Sequence, residues 1–117
     1  MHNACNTSSF RPALPVGWSY PDPEVARNLH RELQLELPPG HLLFGRAVET
    51  FAWREHATDD VLFRHVHEPD RFTVIHLSWL GRTENNPLHP TVEFDGTFEG
   101  FLADEEARHG LRPPRDG

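Results

Sequence analysis

The sequence predicts an α+β domain: a small antiparallel sheet, a three-stranded meander with a short fourth strand, and a helix at each end, in the order α-β-β-β-α. Two observations carry that prediction. One amphipathic repeat precedes a block of three β-branched and aromatic runs joined by short polar links, and a second helical pattern follows it. A length of 117 residues suits one compact domain. That domain is expected over 18–110, because residues 1–17 and 111–117 lack apolar periodicity and read as disordered or extended tails.

The first helix is expected over about residues 23 to 36. Asp22-Pro23-Glu24 supplies an N-cap, a proline at the first helical position and an acid in the first turn. Val25, Ala26, Leu29, Leu33 and Leu37 then form one apolar stripe, with Arg27, Arg31, Glu32 and Glu36 expected largely off it. Pro38-Pro39-Gly40 ends it.

Strands are expected at 46–54, 61–67 and 72–80, with a short fourth at 91–94. Residues 81–90 read as a loop, punctuated by Asn85-Asn86-Pro87 and Pro90. Asp95 or Thr97 is a candidate cap for the second helix, whose inner face carries Phe98, Phe101, Leu102 and Glu105, and Gly110 stops it. Leu62, Val66, Ile75, Leu77 and Trp79 alternate with Val61, Phe63, Phe72, Val74 and Leu80, so both faces of the second hairpin are apolar. A wet face would be polar at every other residue, so both need cover, either from the two helices or from a second chain.

Three histidines lie in this hairpin. His65 and His67 share a face of the second strand by alternation. Whether His76 joins them depends on register. A four-residue turn over Pro69 sets His67 opposite Phe72 and brings His76 diagonally beside His65, within reach of one shared ion. A three-residue turn with a bulge at Arg71 sets Glu68 opposite Phe72 and sends His76 to the other face. Turn chemistry leaves both open.

Charge narrows the functions. All 11 basic residues are arginine, so no chemistry that requires lysine is available. Glu84, Glu93, Asp95, Glu99, Asp104, Glu105 and Glu106 lie between Thr83 and Ala107 without an arginine among them. The net charge of −7 is therefore concentrated there, which disfavours nucleic acid and favours a basic partner. One cysteine, Cys5, points to a reducing compartment. With no leader and no apolar run long enough for a membrane span, a cytoplasmic location is expected. Of the serines, only Ser78 neighbours a histidine, and it lacks a glycine-flanked elbow. Trp18, Trp53 and Trp79 read as core or interface anchors.

The blocks DDVLFRHVHEPDRFTVIHLSW and HPTVEFDGTFEGFL resemble a group of short bacterial proteins of unassigned activity. Those share a "VHLTW"-like strand and a P-x-V/T…D…FL ending. The resemblance covers about residues 38 to 102; it implies a small α+β domain and carries over no functional residue. The functional expectation is an acidic protein-binding module, non-enzymatic and immunity-like or regulatory, engaging a protein partner or a second copy of itself. Its contact residues are expected to be Trp79, Glu99, Asp104, Glu105 and Glu106, with no catalytic residue and no cofactor. A second reading is a metalloprotein or metal-dependent enzyme, with His65, His67 and His76 holding a divalent transition metal. A third is a small-ligand-binding domain with a pocket between sheet and helix.

Overall fold

The computed structural model describes residues 10–54, 56 and 59–109. The fold is α+β, in the order β1 (Trp18–Ser19), α1 (Pro23–Glu36), β2 (Val48–Arg54), β3 (Asp60–His65), β4 (Phe72–His76), β5 (Thr91–Gly96) and α2 (Phe98–His109). The sheet is antiparallel with its strands in sequence order, and it has five strands where three or four were expected. The addition is β1, two residues that pair Trp18 with Arg54 and Ser19 with Trp53, too short to show a period of two in the sequence.

Helix α1 starts and ends where its caps place it. The Val25 N–H donates to Asp22 Oδ1 at 2.9 Å, and the Leu37 N–H closes the last turn on the Leu33 carbonyl. At α2 the cap is Thr97, whose hydroxyl accepts from the Gly100 N–H. Phe101 and Glu105 are buried on its inner face, with Phe98 and Leu102 partly so.

Each face of the sheet has its own core. Leu29, Leu33 and Leu37 pack on Val48, Val61, Phe63, Ile75 and Leu77. On the other side Phe101 of α2 packs with Trp18, Phe51, Ala52, Leu62, Phe72 and Val74. A bulge in β2 between Thr50 and Ala52 turns the consecutive residues Phe51 and Ala52 to the α2 side. The chain's own helices thus supply the cover that the two apolar faces require, and the hairpin gives no reason for a second chain. Residues 10–15 belong to no helix or strand, the chain turns at Val16-Gly17 with the Trp18 N–H on the Pro15 carbonyl, and the segment adds to the α2 side. Phe10 stacks at 5.8 Å on Phe51 and edge-on at 6.0 Å to Phe98, and Leu14 packs on that core. The remainder of the expected tails, 1–9 and 111–117, lies outside the described residues.

Candidate functional site

The β3–β4 ladder adopts neither of the two expected registers. Arg64 stands opposite Phe72 and Asp60 opposite His76, and the His65 N–H closes the hairpin on the Arg71 carbonyl. Pro69 does sit in a tight turn, with the Arg71 N–H bonded to the Glu68 carbonyl. Val66 and His67 are looped out as well, because the Val66 N–H pairs sideways with the Ala47 carbonyl. β3 therefore stops at His65, two residues before the expected end.

This register corrects the convergence of His65, His67 and His76. Phe63 opposes Thr73 on the α1 face, which is the face of His65, whereas His76 shares the α2 face with Asp60 and Leu62. His67 lies in the loop, exposed, in the wall of the same cavity as His65 and Glu68. Among the described residues no group of three or more His, Cys, Asp or Glu is placed to hold a metal ion.

Three polar networks take the place of that centre. On the α1 face, His65 Nε2 lies 2.8 Å from Thr73 Oγ1, and Thr73 Oγ1 lies 2.6 Å from Asp95 Oδ1. Arg71 grips the Asp95 carboxylate with Nε at 3.0 Å from Oδ1 and Nη2 at 2.9 Å from Oδ2. Burial pushes the Asp95 carboxyl up, but the bonds from Arg71 and Thr73 outweigh it and hold it below the ordinary carboxylate value. Thr73 has one proton and gives it to that carboxylate, so it accepts from His65 Nε2–H. Burial, with Arg71 nearby, lowers the His65 pKa and keeps the ring neutral.

On the α2 face a chain of contacts runs from Trp18 to His76. Trp18 Nε1 donates to Glu105 Oε1 at 2.9 Å, and Arg54 Nη2 donates to Glu105 Oε2 at 3.0 Å. Arg54 Nε reaches Asp60 Oδ2 at 3.1 Å, and His76 Nδ1 donates to Asp60 Oδ1 at 2.7 Å. The bond to Asp60 raises the His76 pKa against the lowering effect of burial. A cleft of about 120 Å³ beside this chain is also walled by Glu93, Asp104 and Arg108. His76 and Asp60 form a hydrogen-bonded acid–base pair, and the Ser78 hydroxyl, two residues on, is engaged by Glu36 and Glu84. Asp60→Asn is expected to bring the His76 pKa down toward the ordinary histidine value, read by NMR titration of its ring protons; an unchanged midpoint would show that the pair does not set it.

The third network lies at the end of α1. Glu36 is fully buried, and its carboxyl accepts from Ser78 N–H and Oγ, each at 3.0 Å, and from Trp79 N–H at 2.6 Å. Glu32 accepts from Gly81 N–H at 3.0 Å, and Thr83 Oγ1 donates to the Leu35 carbonyl. Burial and a hydrogen bond shared with Glu32 raise the Glu36 pKa to about 7, while the Ser78 and Trp79 donors oppose the rise. These bonds end β4 at His76, short of the expected 80, and hold Trp79 at φ 57° with the residue 45% exposed.

The expected contact residues separate. Trp79 and Glu99 are exposed; Asp104 pairs with Arg108 at 2.9 Å; Glu106 is half-buried; Glu105 is buried beneath α2. Most of the acidic third is spent internally, with Asp95 on Arg71, Glu93 on Arg108 and Glu105 on Arg54. No helix among the described residues is long and apolar enough to cross a membrane. The chain matches no protein-family model, no curated protein and no solved structure.

Proposed function

We propose that the protein is a non-enzymatic protein-binding module, immunity-like or regulatory, whose contact point is the Trp79–Leu80 knuckle. One observation carries the reading: a tryptophan in the left-handed region, exposed, with its backbone N–H fixed by a buried carboxyl. A bulky residue at φ 57° costs about 1–2 kcal/mol, and such strain persists only where the surroundings impose it. Here the strain holds an indole and the half-exposed Leu80 side by side in water. Tryptophan is enriched among the residues that dominate binding energy, and a loop tied to a helix before contact loses little freedom on contact. The net charge of −7 favours a basic partner.

The test places a photo-crosslinking amino acid at Leu80, or at Glu99 on α2 as a control, in the cells that make the protein. A discrete adduct at Leu80 is expected, with a partner or with a second copy of the chain. With that partner purified, Trp79→Gly is expected to weaken binding by about 2 kcal/mol, roughly 30-fold in Kd. Glycine accepts the left-handed conformation, so the variant's stability is expected to stay within about 1 kcal/mol of the parent. Adduct at Glu99 alone, or binding indifferent to Trp79→Gly, would reject the knuckle as the contact.

A further inference from the structure

We propose that the cavity between the 44–47 segment and the β3–β4 loop binds a free α-amino acid with an apolar side chain, held as its zwitterion by Arg46, Glu68 and His65. The site is separate from the Trp79 knuckle and does not depend on it. The cavity measures about 360 Å³, a size that suits a small metabolite, and its wall includes Phe44, Arg46, His65, His67 and Glu68.

The buried wall is the informative part. His65 is 3% exposed, and its Nε2 proton is committed to Thr73, whose own proton is committed to Asp95. Relayed in this order, the neutral ring keeps a lone pair on Nδ1, to which no donor among the described residues is bonded. A buried acceptor without a donor is costly, so a ligand N–H or O–H that reaches it gains more than an exposed contact would. The charged wall selects what carries that N–H. Arg46 Nη1 and Arg71 Nη1 approach Glu68 Oε2 at 3.7 and 3.6 Å, longer than a charge-assisted hydrogen bond. Neither the Arg46 guanidinium nor the Glu68 carboxylate is saturated by that approach. One positive and one negative group side by side match a ligand with both charges. An α-ammonium donates to Glu68 and to His65 Nδ1, an α-carboxylate takes the Arg46 fork, and the half-exposed Phe44 ring supplies an apolar wall for the side chain.

The probe is L-phenylalanine, titrated into the full chain and followed by NMR of the Arg46 side chain and of the His65 ring nitrogens. In the free protein the His65 spectrum is expected to show a bare Nδ1 and a protonated Nε2. Saturable shifts at both residues are expected, with Kd in the millimolar range or below. 3-Phenylpropionate, which lacks the ammonium, and phenethylamine, which lacks the carboxylate, are each expected to bind at least ten-fold more weakly. Arg46→Gln, at an exposed side chain, is expected to weaken L-phenylalanine about ten-fold without changing Tm. His65→Gln retains an amide donor for Thr73 but leaves no acceptor at the Nδ1 position, its carbonyl oxygen lying at the end of the side chain; it is expected to weaken binding similarly. Should that variant fail to fold, Arg46→Gln and the two half-ligands still decide. Absence of saturable shifts with L-phenylalanine, leucine or valine overturns the proposal, as does equal binding by either half-ligand.

Discussion

Glu105→Ala is expected to destabilise the fold by about 3 kcal/mol, a drop in Tm of about 10 °C. In sequence, Glu105 stands in a run of acids on the last helix, where a solvated charge would cost almost nothing to remove. In the fold it is 3% exposed and receives the Trp18 indole N–H at 2.9 Å and the Arg54 guanidinium at 3.0 Å. Its loss strips the buried indole of its acceptor, which alone costs about 1–3 kcal/mol. It also leaves Arg54 with Asp60 as the ion-pair partner recorded at 3.1 Å. That second partner keeps the cost near the lower end of the range for breaking a buried pair. The same contact attaches β1 to α2, so the short edge strand is expected to exchange its amide protons faster in the variant. Glu99→Ala, one turn and a half earlier on the exposed side, is the control and is expected to change stability by less than about 0.5 kcal/mol. Trp18→Phe keeps the ring against Phe101, 5.1 Å away, and combined with Glu105→Ala it is expected to give a coupling of about 1 kcal/mol. A Glu105→Ala cost below about 1 kcal/mol would place this carboxylate back on the surface.

The elements of the fold were legible because each carries a local signal. Asp22-Pro23 and Pro38-Pro39 bound α1 at the residues observed, and the β-branched runs at 48–54, 60–65 and 72–76 lie within one residue of the expected strands at their starts, apart from β2. What was not legible depends on non-local partners. β3 ends at His65 because Val66 turns to Ala47, and β4 ends at His76 because Glu36 takes the Ser78 and Trp79 N–H groups. Neither partner is near in sequence, so the hairpin register, and with it the fate of the three histidines, was not readable from the turn alone.

The spacing of Glu32 and Glu36 marks them for burial, against the expectation from their charge that they lie off the apolar stripe. Leu29, Glu32, Leu33, Glu36 and Leu37 occupy steps of three and four along one face, the spacing of a core-facing stripe. Chemistry argued for placing the two acids outside that stripe, and geometry places them in it. A carboxyl in such a position needs donors, and the 78–81 segment provides them. The candidate sites share this origin: the Trp79 knuckle, the Glu105 anchor and the His65 relay each consist of a buried polar group that is met by a segment far away in the chain.

The pH dependence of stability follows from Glu36. Glu36 keeps its proton in the folded chain up to about pH 7, against an ordinary value of 4.5. Between those values the folded state holds a proton that the unfolded state has released, so stability falls as pH rises across that interval. The contribution is complete below pH 4.5 and lost above about pH 7, and it amounts to about 3 kcal/mol. Burial of the Glu36 carboxyl is the main cause, and the groups that face it add to the rise. Glu32 shares a hydrogen bond with it and Glu84 lies beyond the Ser78 hydroxyl, so ionisation adds a negative charge beside two acids, with no cation among the described residues bonded to it. The N–H groups of Ser78 and Trp79 soften the rise without removing it. His65, with its lowered pKa, acts in the opposite sense, stabilising the fold as pH rises through the ordinary histidine value, so the Glu36 effect is isolated by difference. Glu36→Gln retains one carbonyl oxygen for Ser78 and an N–H for Glu32, but it loses the acceptor for Trp79 N–H, a cost of about 1 kcal/mol. Below pH 5 the variant is therefore expected to be the less stable protein; above pH 8, where the parent has lost its 3 kcal/mol, the order reverses. Urea midpoints measured at pH 5 and pH 8 for both proteins test this, and the amide exchange of Trp79 and Gly81 in the parent is expected to quicken at pH 8 beyond the intrinsic rise. Parallel pH profiles for parent and variant would mean that Glu36 is ionised in the fold at both pH values, and that the loop carrying Trp79 is held by a carboxylate and not by a shared proton.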